Sequence, residues 1–135
     1  MSPLLRFQAL SLPILVLSIA AAPPARARAS ECFANHEITQ AQAYLEDTWS
    51  EGGMYAVLVG AQAFIPAERG LTREWLHREL AQRLAARRSD AQCPLDVPGV
   101  RIAIQSGGPG FWVNISTANE KAARQVLDRT RGLVR

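Results

Sequence analysis

The sequence predicts a small α+β domain, with helices packed on a mainly antiparallel sheet. Three observations carry that prediction. Met54 to Gly60 is a continuous apolar run of strand length. Val100, Ile102 and Ile104, then Phe111, Val113 and Ile115, alternate with other residues on either side of a glycine-rich turn. Two capped stripes at helical spacing precede and follow that hairpin.

The elements follow in chain order. Ile38, Ala41, Leu45 and Trp49 recur at helical spacing and Gly52-Gly53 stops the pattern, predicting a first helix. The run Met54 to Gly60 reads as a strand covered on both faces. Ala61 to Gly70 holds Pro66 and reads as a connection, with some extended structure at Phe64-Ile65. Thr72 caps a helix whose stripe is Leu76, Leu80 and Leu84, and Leu71 with Leu76 suits a hydrophobic staple. Cys93, Pro94 and Pro98 mark a constrained loop. In the hairpin, a four-residue loop over 107–110 sets Ile104 opposite Val113 and Gln105 opposite Trp112. Thr117 to Glu120 reads as a capping box for a last helix with Ala122, Ala123, Val126 and Leu127 on its apolar face and Gly132 as its stop.

The predicted order is α-β-α-β-β-α. Without its first helix this is a ferredoxin-like split βαβ unit lacking its last strand, with a three-stranded sheet. In element order alone it resembles propeptide-type inhibitors of serine proteases and BON-type envelope domains, and no motif diagnostic of either is present. The first helix is expected to cover sheet surface left open.

The N-terminus sets the compartment. A short basic start with Arg6, an apolar run from Phe7 to Ala22 and small residues ending at Ala27-Arg28-Ala29 form the layout of a secretory signal peptide over 1–29. The run is shorter than the roughly 20 residues a spanning helix needs, so no stable membrane insertion is expected after cleavage. The alternative is retention as an anchor, since Arg26 and Arg28 follow the run. Residues 30–135 are then one domain, periplasmic or secreted, and the arginine- and alanine-rich composition suggests a bacterial source. Cys32 and Cys93 are expected to form a disulfide there.

Charge excludes one class of partner. Three of the fifteen basic residues (Arg6, Arg26, Arg28) fall in 1–29, leaving twelve against twelve acids. A nucleic-acid ligand needs a basic surplus to displace counterions, so none is expected. The balance is uneven: Ser30 to Gly70 carries a net −5 and Leu71 to Arg135 a net +5. Either the acidic segment folds against the basic one, or the surface is bipolar.

The chemistry-bearing residues are few. Cys32, His36 and Glu37 hint at a soft metal site, but a disulfide consumes the thiol and no metal or cofactor is expected. The loop Gln105 to Gly110 joins two strands and contains Pro109, so it reads as a turn rather than a phosphate cradle. His77, with Glu74 one turn earlier, is the one imidazole–carboxylate pairing that suggests a small hydrolase. Trp112 shares a strand face with Arg101, Gln105 and Asn114, the make-up of a binding patch if that face is open. If the first helix covers the face, Trp112 is a core residue touching a neighbour such as Trp49. The function expected first is a non-catalytic binding or accessory protein of the bacterial envelope, with another envelope protein as partner and inhibition of a secreted hydrolase as one specific form. A His77 hydrolase and a self-associating structural protein are the alternatives, and the sequence leaves the oligomeric state open.

Overall fold

A computed structural model describes residues 31–86 and 88–135. The signal peptide expected over 1–29 lies outside the described residues. The elements are β1 (Gln40–Ser50), β2 (Gly53–Pro66), α1 (Arg73–Ala85), a 3-10 turn (Pro94–Asp96), β3 (Arg101–Gly107), β4 (Gly110–Ser116) and α2 (Glu120–Arg131). The class is α+β, as expected, but the sheet has four antiparallel strands in the order β1-β2-β4-β3.

The expected first helix is a strand. Gln40, Gln42 and Tyr44 alternate with Ala41, Ala43 and Leu45, a period of two that outweighs the sparse helical spacing. Glu51-Gly52 is the turn of a β1–β2 hairpin, since Ser50 pairs with Gly53. The strand expected over 54–60 runs on to Pro66, at the sheet end where a missing N–H costs least. β4 lies between β2 and β3, which α1 connects, so the split βαβ unit is present. The strand that unit lacks at its C-terminal end is supplied from the N-terminal side, by β1 on the free edge of β2.

One irregularity shapes the sheet. Tyr44 pairs with Gly60 but Leu45 pairs with Leu58, so Val59 is a bulge. Its carbonyl accepts the Thr117 N–H at 2.8 Å. A Cβ on Gly60 would lie 1.8 Å from the Ile115 carbonyl oxygen, so only glycine allows β2 and β4 to approach there.

The core lies between the helices and one sheet face. Ala61, Ala63 and Ile65 of β2, Val113 and Ile115 of β4 and Ile104 of β3 meet Leu76 and Leu80 of α1 and Val126 and Leu127 of α2. Thr72 caps α1, its hydroxyl accepting the Trp75 N–H at 3.2 Å. The cap of α2 is Asn119, which accepts the Ala122 N–H at 2.8 Å, two residues beyond the expected Thr117. Thr117 instead donates to the Asn119 carbonyl. The hairpin register is as expected, Ile104 against Val113 and Gln105 against Trp112, but pairing continues to Gly107 and Gly110. The turn is therefore only Gly108-Pro109, with Gly108 at φ +59°.

The N-terminal segment is tied down from two sides. Cys32 and Cys93 form the expected disulfide, their Cα atoms 5.6 Å apart. His36 Nε2 lies 2.7 Å from Glu79 of α1 and its Nδ1 lies 3.6 Å from Glu68. Beside the disulfide, Arg83 and Asp96 form a buried bidentate pair at 2.8 and 2.9 Å, and Asp96 also accepts the Asp90 N–H. Arg83 is buried together with Leu76 and Leu80, so the buried side of α1 is wider than the expected stripe of Leu76, Leu80 and Leu84.

Candidate functional site

Among the described residues the second face of the sheet carries no helix, because strand alternation sends the clustered core residues of β2, β3 and β4 to the other side. Three rows of side chains cross it. Tyr44, Gly60, Ser116 and Arg101 form the first, Gln42, Gln62, Asn114 and Ala103 the second, and Gln40, Phe64, Trp112 and Gln105 the third. Arg101, Gln105, Asn114 and Trp112 thus share one face of the two paired strands β3 and β4. Arg101, Ala103 and Gln105 are exposed, Trp112 is half-buried and Asn114 is buried.

The middle row is a chain of amides. Gln42 donates to Gln62 at 2.7 Å and Gln62 donates to Asn114 at 2.9 Å. Each bond fixes the orientation of the next side chain, so the row is pre-ordered across three strands. Beside it, Phe64 and Trp112 pack with ring centroids 5.0 Å apart and planes at 57°. The indole also lies over Gly107, where a Cβ would come within 2.5 Å of its Cδ1. Among the described residues Trp112 is therefore held by Phe64 and Gly107 and not by a covering helix, and Trp49, the neighbour expected against it, is 78 % exposed on the arm. A rigid aromatic beside a row of ordered amides, with a guanidinium beyond them at Arg101, can stack on a flat group and hydrogen-bond its edges.

Phe64, Gln42 and Gln62 are not legible as site residues while 38–49 reads as a helix and 61–70 as a connection. The alternation Gln-Ala-Gln-Ala-Tyr-Leu over 40–45 was the signal that would have found β1.

The remaining candidates lie elsewhere. His77 is exposed on α1 and forms no hydrogen bond or ion pair among the described residues. Glu74, its expected partner, pairs with Arg73 instead. The Glu74 carboxyl is held below the usual carboxylate range by its backbone N–H and by Arg73. His36, the better-placed imidazole, has both ring nitrogens directed at carboxylates, which suits a tether more than a general base. Among the described residues no cluster of three or more potential metal ligands occurs, and Cys32 is taken by its disulfide. A groove of about 670 Å³ opens between α1 and the loop before β3, with Leu84, Val97, Pro98 and Val100 in its wall. Its charged groups are Arg88 at the rim and Asp96, already held by Arg83.

Among the described residues no helix is long and apolar enough to cross a membrane. Comparison with protein-family models, with curated proteins and with solved structures found no match to this chain.

Proposed function

We propose that this chain is a small exported, non-catalytic binding or accessory module of the bacterial cell envelope, and that the sheet face opposite α1 and α2 meets the partner. One observation carries the reading: Trp112, Gln105, Asn114 and Arg101 lie together on that face, extended by Phe64 and the Gln42–Gln62 amides into a pre-ordered surface. Export rests on the N-terminal leader pattern. The Cys32–Cys93 crosslink fits an oxidising compartment. Inhibition of a secreted hydrolase is the specific form favoured by the small crosslinked scaffold.

The test places a photo-crosslinking residue at Gln105 and irradiates expressing cells. A discrete envelope-protein adduct is expected. Trp112→Ala should reduce its yield at least about tenfold, as loss of a central aromatic anchor does. An adduct pattern unchanged by Trp112→Ala, or none at any position of the face, refutes the reading. A panel of secreted hydrolases assayed with excess protein tests the inhibitor form, which fails if every enzyme retains full activity.

A further inference from the structure

Only Gly60 to Pro66 of β2 pairs with β4. The rest of β2, with Leu45 to Ser50 of β1, runs past the end of the sheet as a two-stranded arm. Two strands alone are marginal in water, and this arm is unusually apolar. Of the six exposed large hydrophobic side chains among the described residues, four are on it: Leu45 (53 %), Trp49 (78 %), Met54 (60 %) and Tyr55 (49 %). Cross-strand pairing puts Trp49 against Met54 and Leu45 against Leu58, on one face of the ribbon.

The arm is also acidic. Glu46, Asp47 and Glu51 form no ion pair among the described residues, and no Lys or Arg occurs between Glu31 and Glu68. Asp47 lies between Leu45 and Trp49 on the apolar face, a charge placed where it blocks flat pairing of two arms. The complement to this surface is aromatic and basic. Such a patch exists on the chain itself: Trp75 is 50 % exposed and the Arg78 guanidinium sits 5.4 Å from its ring centroid with no ion pair among the described residues, while Arg73 nearby is held by Glu74. It is at the far end of the molecule, because α1 begins just after β2 ends at Pro66.

We propose that the arm of one copy docks along a second copy, with its Trp49–Met54 tip on the partner's Trp75–Arg78 patch, in a closed antiparallel dimer. The dimensions fit. Six residues of arm reach about 20 Å, and the thirteen residues of α1 span about 20 Å. Two copies meeting at their arm ends therefore lay each tip at the start of the other's α1. A two-fold axis makes the contact twice and closes the assembly. Each contact sets the unpaired Asp47 of the arm against the Arg78 guanidinium. This contact uses the arm and not the sheet face opposite α1 and α2, so it stands apart from the proposed envelope function.

Sedimentation of the protein, in the form that accumulates in an expressing bacterium, tests it from about 1 μM to about 500 μM, the range of weak self-association. A dimer weakened by high salt is expected. Trp49→Ala and Arg78→Glu should each raise its dissociation constant about tenfold or more, with unchanged circular dichroism. Combining Asp47→Arg with Arg78→Glu should recover much of the affinity lost in Arg78→Glu alone. A strict monomer throughout overturns the proposal, as does failure of the charge swap to recover affinity. A dimer indifferent to Trp49→Ala but broken by Trp112→Ala overturns it too, while leaving the sheet face opposite α1 and α2 as a binding surface.

Discussion

Replacing Cys32 and Cys93 together by alanine opens a loop that spans 61 positions of sequence. In the chain-entropy account, closing a loop of that length disfavours the unfolded ensemble by about 4 kcal/mol. A further loss comes from the core, since both cysteines are about 1 % exposed and pack in the cluster with Phe33, Leu95 and Leu133. A domain of this size has about 5 to 15 kcal/mol in total, so the crosslink is a large share of its stability. At about 4 to 8 °C per kcal/mol, Tm should fall by about 20 °C. Guanidinium unfolding followed by circular dichroism measures the loss directly. The slope m should rise as well, because the uncrosslinked denatured chain is more expanded. Burial of both sulfurs adds a kinetic expectation: a thiol reductant should open the bond readily only under unfolding conditions. A loss below about 1 kcal/mol with unchanged m would refute the loop-entropy reasoning.

Asp96→Ala leaves the buried Arg83 guanidinium and the Asp90 N–H without their acceptor, and should cost about 3 to 5 kcal/mol in urea unfolding. Gly60→Ala forces a methyl onto the Ile115 carbonyl, and the resulting separation of β2 from β4 should cost about 1 to 3 kcal/mol by the same assay. Ile65→Ala, at a fully buried core position, should lose about 2 to 5 kcal/mol. Trp49→Ala, on the exposed arm, should stay within about 0.5 kcal/mol of the parent in thermal melts.

The parts that were legible in the sequence are those where local pattern and tertiary demand agree. The β3–β4 register follows from alternation about a glycine turn, and one face of that hairpin was correctly assembled from Arg101, Gln105, Trp112 and Asn114. The α1 cap at Thr72 and the α2 stop at Gly132 are short-range hydrogen-bond chemistry. The error at 38–49 had a specific origin. Ile38, Ala41, Leu45 and Trp49 fit a helical spacing, yet Leu45 and Trp49 prove to be exposed arm residues, not a buried stripe. A helix there would cover the sheet and make Trp112 a core residue, whereas with a strand in its place Trp112 is half-buried. The apolar run Met54 to Gly60 misled for the same reason: its side chains extend past the sheet and are not enclosed on both faces.

The sequence by itself determined the α+β class, the hairpin and its register, the Thr72 start of α1 and the Gly132 stop of α2, the pairing of the two cysteines and the neutrality of residues 30–135. Each rests on interactions between near neighbours, on composition, or on the absence of any alternative partner. Only the tertiary structure decided that β1 is a strand, because an edge strand is defined by the neighbour it pairs with and β2 was available. That pairing aligned Gln42, Gln62 and Asn114 across three strands on the sheet face opposite the helices, and sent an acidic, apolar arm beyond the sheet. The buried Arg83–Asp96 pair belongs to the same class, since two charges thirteen residues apart meet only when the disulfide-anchored loop folds back on α1.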